Sequence, residues 1–189
     1  MKICLVRHGE TDWNRAGKLQ GLENIPLNAV GEAQAKSVSE FLAAYGKWDS
    51  IISSPLKRAR KTAEIISAKL GIAVRENDLL RERDYGASSG LTARERKIKF
   101  PDGGEMSAAG WEAAESVRGR VVTVLSAITG SGERKNTIIV AHGGVINSAL
   151  AYVSNGEMGT GKTKLANACV SVLVCDGELK IEFYNKAVC

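Results

Sequence analysis

The chain has 189 residues, 44% of them apolar and 25% charged, the proportions of a soluble globular domain long enough to bury a real core. No apolar run is long enough to cross a bilayer, and the chain leads directly into a core-like strand without a secretory leader, so a cytoplasmic protein is expected. The net charge of +5 comes from 26 basic and 21 acidic residues mixed along the chain. Without a basic tail or interleaved aromatics, that balance argues against nucleic acid and for a field that favours small anions.

Residues 2–6 (Lys-Ile-Cys-Leu-Val) are a short apolar run that predicts a buried strand. It delivers Arg7, His8 and Gly9 to its carboxyl end, where open α/β sheets bind ligands. Gly9 is expected to let a substrate approach the backbone closely. Residues 12–27 read as irregular, punctuated by Gly17, Gly21 and Pro26. Asn28 can cap a helix that runs to Tyr45 and carries Val38, Phe41, Leu42 and Tyr45 on one side. Residues 48–52 read as a second strand. Ser54 is then expected as N-cap and Pro55 at the first helical position of a helix. Its stripe of Leu56, Ala59, Ala63, Ile66 and Leu70 stops at Gly71.

A longer connection spans 78–104, and Trp111, Ala114, Val117, Val121, Leu125 and Ile128 mark the next helix. Residues 137–141 predict a second buried strand that ends at His142-Gly143-Gly144, followed by a helix to Val153. Runs at 169–175 and 179–184 flank Asp176-Gly177, a strong hairpin signal. Cys4, Cys169, Cys175 and Cys189 show no paired metal-ligand spacing, and three of them lie in or beside apolar runs, where cysteine acts as a small hydrophobe. The expectation is a single α/β domain over 1–189, a three-layer αβα sandwich with a central, mostly parallel sheet.

The two histidines of the chain each follow an apolar strand directly and precede glycine. If those strands are parallel neighbours, His8 and His142 meet at one sheet edge. Arg58 falls in the first turn of the helix after the 48–52 strand, where free N–H groups and the helix dipole already favour an anion. Two arginines, two histidines and a helix N-terminus on one rim make a phosphate pocket. Singly, each is an ordinary surface feature; together, at three successive strand ends, they are not.

Five segments carry a family resemblance: VRHGETDWN at 6–14, LQGLENIPLNAVGEAQA at 19–35, SSPLKRARKTAE at 53–64, LLRERDYG at 79–86 and VAHGG at 140–144. In this order they resemble the histidine phosphatase superfamily, also called phosphoglycerate-mutase-like. The resemblance implies that His8 is phosphorylated during turnover, that Arg7, Arg58 and His142 hold the phosphoryl oxygens, and that Glu82 is the general acid/base. Asn14 and Gln20 match pocket-lining positions, with Gly21 and Gly143 beside them as substrate-binding residues.

The chemistry agrees with that assignment. A neutral His8 can attack phosphorus and split one hard step into two easier ones. Arg7, Arg58 and a cationic His142 are expected to supply the charge that other phosphotransferases take from magnesium. Glu82 would protonate the leaving alkoxide and then take a proton from water. No metal and no cofactor is implied, because two histidines without a carboxylate cluster make no recognisable ligand set.

Two motifs point elsewhere. Residues 156–163 match the P-loop pattern G-x-x-x-x-G-K-[ST], but that pattern works only between a buried strand and a helix, and here it follows a helix end and runs towards a strand. A loop is expected. Residues 86–90 match G-x-S-x-G, with Asp102 and His142 downstream as a triad would need. The charged residues before them, 81–85, make no strand to present a nucleophile elbow.

Ser88 and Ser89 stand where many family members have an aromatic and an acidic residue, and Asn24 where aspartate is common. The Ser88 difference is expected to leave the leaving-group side near Glu82 more open or more polar. Residues 84–110 read as a short cap that sets specificity, despite Arg94, Arg96, Lys97 and Lys99 within it. A short cap favours water as acceptor, hence phosphomonoester hydrolysis of small phosphorylated metabolites. The alternatives are a phosphoglycerate-mutase-type phosphotransferase and a weakly active phosphate-recognition protein. The sequence leaves the oligomeric state open, a homodimer included.

Overall fold

The computed structural model describes residues 1–101 and 105–188. Its elements are β1 Lys2–Arg7, α1 Asp12–Arg15, α2 Ala29–Tyr45, β2 Ser50–Ser53, α3 Lys57–Leu70, β3 Val74–Glu76, α4 Ala93–Lys99, α5 Glu105–Ala108, α6 Ala114–Thr129, β4 Thr137–Ala141, α7 Gly143–Val153, β5 Val170–Asp176 and β6 Glu178–Lys186. Residues 102–104, which include Asp102 of the triad reading and part of the 84–110 segment, lie outside the described residues, as does Cys189.

The sheet has the order β3-β2-β4-β1-β5-β6. Its first four strands are mutually parallel, while β5 runs antiparallel to β1 and forms the expected hairpin with β6 around Gly177 at φ 83°. The two central strands, β1 and β4, are covered on both faces, which is why they read as continuous apolar runs rather than alternating ones. Side chains leave a strand on alternate faces. Ile3 and Leu5 therefore pack with Val121, Leu125, Ile146 and Leu150 of α6 and α7. Cys4 and Val6 face the other way, against Val38, Leu42, Ala63 and Ile66 of α2 and α3. Three layers result, as the patterning predicts.

Three local expectations need correction. Helix α3 begins at Lys57 with Leu56 as N-cap, not at Pro55 with Ser54 as N-cap. The Lys57 N–H is capped across the loop by Asn24 Oδ1 at 3.0 Å, which frees the Ser54 side chain for other work. Helix α6 begins at Ala114, so Trp111 precedes it and is available to line a cavity. Gly9 does not open the backbone to substrate. A Cβ there would strike the Gly31 backbone, and a Cβ on Gly31 would strike Glu10, so both glycines serve the close packing of the β1 exit loop against the first turn of α2.

Candidate active site

Strand pairing alone brings the sequence-predicted residues together. Arg7 stands opposite Ala141 in the β1–β4 ladder, and the His8 N–H donates to Ala141 O at 3.0 Å. The His8 and His142 rings therefore lie side by side, with centroids 5.2 Å apart. On the other side of β4, the Ser54 N–H donates to Val140 O at 3.0 Å, which sets the β2 exit and the start of α3 on the same rim. Arg58, in the first turn of α3, is fully buried and its Nε donates to His8 Nε2 at 3.3 Å.

The hydrogen bonds of His8 fix its tautomer. Nδ1 lies 2.7 Å from Gly9 O, an atom that can only accept, so Nδ1 carries the proton and Nε2 holds the lone pair. Burial, then the neighbouring Arg58 and Arg7 cations, hold the His8 pKa well below the ordinary histidine value. The ring is neutral at pH 7, as a nucleophile requires.

His142 is fully buried and also held neutral, first by burial and then by Arg58, His8 and Arg7. The buried His142 ring is therefore neutral rather than cationic as expected from sequence. Its Nε2 lies 2.8 Å from Ser54 Oγ, which also accepts the Leu56 N–H at 3.3 Å. The Ser54 hydroxyl thus bridges the start of α3 and His142 Nε2, while His142 Nδ1 is a buried atom with no partner in the protein.

The two arginines are held by backbone carbonyls. Arg58 Nη1 donates to Glu23 O at 2.6 Å and Nη2 to Gly21 O at 2.8 Å, so the loop after α1 wraps the guanidinium; Gly21 makes that bend at φ 51°. Burial lowers the Arg58 pKa to about 10, which leaves it charged at neutral pH. Arg7 Nη1 donates to Leu165 O at 2.6 Å while its buried Nε has no partner. Asn14 Oδ1 accepts from the Thr11 backbone and hydroxyl and from Asn167 Nδ2, and this orients its amide.

Glu82 is buried and fixed through both carboxylate oxygens. Oε1 accepts the Arg83 N–H at 2.8 Å, and Oε2 accepts the Gly144 N–H of the first turn of α7 at 3.1 Å. Position 144 must be glycine for this: a Cβ there would stand 2.5 Å from Glu82 Oε1. The segment that carries Glu82 is tied to α6 by Arg120, whose Nη1 donates to Leu79 O at 2.6 Å and Arg81 O at 2.5 Å. Arg120 is itself gripped by both Glu112 carboxylate oxygens at 3.0 Å.

Together these residues enclose a cavity of about 290 Å³ whose walls include Arg7, His8, Arg58 and Glu82. Asn14, Gln20, Gly21 and Gly143 line it as predicted. His142 does not line it, and its ring lies against that of His8. Buried polar atoms without a protein partner gather here: Arg7 Nε, Gln20 Oε1, His142 Nδ1 and Asn147 Oδ1. Ser54, Tyr85, Asn147 and Asn167 were not singled out for this site by sequence. Each reaches it through tertiary packing with no local motif.

The competing motifs resolve into turns. Residues 156–163 form turns between α7 and β5 in which Gly159 and Thr163 bond each other and Lys162 Nζ donates to Gly156 O at 2.5 Å, while Thr160, Thr163 and Lys164 border the cavity. No strand leads into this loop and no helix leaves it. Ser88 of the G-x-S-x-G match is fully buried in a 3₁₀ turn and accepts the Trp111 indole N–H at 3.0 Å, so it neither acts as an elbow nor borders the pocket.

Comparison with known proteins shows the family. Residues 3–186 match the model of the histidine phosphatase superfamily, branch 1. The chain belongs to that superfamily. Membership places it among phosphatase-class enzymes. It is 40% identical to the uncharacterized phosphatase PhoE of Bacillus subtilis over 184 residues, 97% of this chain and 93% of that one. It is 32% identical to a metal-independent phosphoserine phosphatase of Arabidopsis thaliana over 182 residues, 91% of this chain and 75% of that one. Among solved structures, the phosphoserine phosphatase of Entamoeba histolytica in complex with 3-phosphoglyceric acid superposes with a TM-score of 0.83 at 29% identity, over 98% of this chain and 96% of that one.

Proposed function

We propose that residues 1–189 form one catalytic domain that hydrolyses phosphate monoesters of small metabolites through a phosphohistidine on His8, without a metal ion. The observation that carries this reading is the state of the His8 ring. Gly9 O holds the proton on Nδ1, and Nε2 keeps its lone pair at the wall of a cavity that also presents the buried Arg58 guanidinium, the half-buried Arg7 and a fixed carboxylate.

His8 Nε2 attacks phosphorus, the ester P–O bond breaks, and a protonated Glu82 gives its proton to the departing alkoxide. Arg7 and Arg58 neutralise the equatorial oxygens, and His142, whose ring lies beside that of His8, supports the nucleophile. Water then loses a proton to the Glu82 carboxylate and attacks phosphorus. The P–N bond breaks, and neutral His8, protonated Glu82 and inorganic phosphate result. The relatives named for phosphoserine and the fixed, preorganised donors support hydrolysis of a small anionic ester. No helix among the described residues is long and apolar enough to cross a membrane, which is compatible with the cytoplasmic site expected from sequence.

The test is phosphate release from aryl and metabolite phosphates in the presence of EDTA. Release that disappears in His8→Ala supports the reading. Release that needs added metal, or transfer seen only with a bisphosphate primer, overturns it.

A further inference from the structure

Arg7 is tethered more thinly than Arg58. Its side chain makes one hydrogen bond among the described residues, from Nη1 to Leu165 O at 2.6 Å, whereas two carbonyls grip the Arg58 fork. Where Leu165 O points therefore decides where the Arg7 guanidinium rests. Leu165 belongs to residues 163–169, which run without helix or strand from the turns after α7 to β5. A carbonyl in such a segment has no ladder to fix its direction.

Asn185, near the end of β6, supplies what the ladder does not. Its side-chain amide spans two residues of the segment: Nδ2 donates to Lys164 O at 3.0 Å, and Oδ1 accepts the Ala166 N–H at 2.8 Å. A neighbouring strand would take the same two groups, because they point to one side of an extended chain while the carbonyl between them points to the other. That middle carbonyl is Leu165 O, and it faces Arg7. Asn185 holds this position at φ 52°, with its own N–H donating to the buried Ser171 Oγ at 3.0 Å. Asparagine is one of the few residues that enter the left-handed region readily.

The rest of the segment is docked on the same strand exit. The Arg7 N–H donates to Cys169 O at 3.1 Å, and the Ala168 N–H donates to His8 O at 3.1 Å. Ala168 makes that contact at φ 52°, a conformation an alanine keeps only where its surroundings impose it. Residues 163–169 thus form a backbone template for both Arg7 and His8, and the Asn185 amide is the bracket on its outer side.

We infer that Asn185 is a positioning residue for the phosphate pocket: it does not line the cavity, and it acts by aiming Leu165 O at Arg7. The inference rests on the phosphomonoesterase reading and deepens it.

Asn185→Gly is the direct test, because glycine adopts φ 52° without strain and only the amide is lost. Its kcat/KM for 4-nitrophenyl phosphate is expected to fall about tenfold, the scale of a loosened transition-state contact. Inhibition by orthovanadate, which mimics the five-coordinate phosphoryl group, is expected to weaken by a similar factor. Asn185→Asp keeps the acceptor for the Ala166 N–H but sets an oxygen against Lys164 O, and is expected to fall between wild type and Asn185→Gly. In an Arg7→Lys background, Asn185→Gly should cost less than twofold, because the fork it aims is already gone; damage unrelated to Arg7 would cost the same factor in both backgrounds. Thermal unfolding checks that each variant folds, and Asn185→Asp carries the cycle if Asn185→Gly does not. Activity and vanadate inhibition within twofold of wild type in both Asn185 variants, or equal losses with and without the Arg7 guanidinium, overturn the inference. If wild type shows no phosphate release that His8→Ala abolishes, the phosphomonoesterase reading fails by itself. The bracket is then read from orthovanadate binding by calorimetry, where weaker binding in Asn185→Gly supports it and equal binding overturns it.

Discussion

Arg58 Nε donates to His8 Nε2 across 3.3 Å, so the lone pair of the proposed nucleophile is held by one of the cations proposed to bind the phosphoryl group. Attack requires this contact to be exchanged for one to a phosphoryl oxygen, and Arg58 can make the exchange because Gly21 O and Glu23 O keep its fork in place. A lysine offers a point charge without that planar fork. Arg58→Lys is therefore expected to lower kcat/KM by about 10²-fold or more, chiefly through kcat, by steady-state kinetics on an aryl phosphate. An effect under threefold would contradict the role given to the guanidinium.

Ser54 connects the β2 exit to His142 at 2.8 Å. Ser54→Ala removes the hydroxyl that holds His142 Nε2 and leaves that nitrogen unpaired. Catalysis is expected to fall by about tenfold, the scale of one misplaced hydrogen-bond donor. Ser54→Thr, which keeps the hydroxyl, is expected to recover most of it. Loss in both variants alike would point to packing instead.

Arg120 touches neither the cavity nor the proposed reacting atoms, yet it ties Leu79 and Arg81, and so Glu82, to α6. Arg120→Met should keep much of the side-chain packing and lose the clamp. The expected result is a lower kcat for alkyl phosphates, whose departure needs the Glu82 proton, and a smaller loss for 4-nitrophenyl phosphate, whose leaving group needs little help. Equal losses on both esters would remove Arg120 from the positioning of the acid.

Both histidines are buried neutral, with folded pKa values below the unfolded value. For a group of this kind the unfolded chain binds more protons, so its contribution to stability is fully present above the unfolded pKa, near 6.5, and is lost as pH falls towards the folded pKa. Stability should be level above about pH 7 and fall below about 6.5 by up to about 1.4 kcal/mol per pH unit for each histidine. Chemical denaturation at several pH values checks this. The slope should be shallower in His142→Ala, and an unchanged slope would mean that carboxylates elsewhere set the acid limb.

Much of the site was legible in the sequence because covered parallel strands leave a plain signature. Residues 2–6 and 137–141 are apolar without interruption, and the first polar residues after them, Arg7-His8 and His142, have to emerge at the rim. Arg58 was legible because the stripe from Leu56 to Leu70 fixes where its helix begins to within a residue or two.

What the sequence hid is non-local. Ser54 reads as an N-cap by every local rule, and only the arrival of Asn24 at the Lys57 N–H, from 33 residues before Lys57, releases it to His142. Gly9 beside an imidazole suggests substrate access until Gly31 is seen against it. Trp111 falls in line with the apolar stripe of α6, and its place on a cavity wall depends on Ser88 and Arg83, each more than twenty residues distant in sequence. β3 is a three-residue edge strand with Val74 as its one apolar residue, too short to leave a period.

The central claim is a covalent intermediate on His8 Nε2, and rapid quenching into alkali followed by peptide mass spectrometry tests it most directly. After mixing with an aryl phosphate in EDTA, the peptide that carries Arg7-His8-Gly9 should show an acid-labile phosphoryl adduct that forms and decays at catalytically competent rates. His8→Ala should show neither adduct nor turnover. Full turnover in His8→Ala, or a competent adduct on any other residue, would contradict the account.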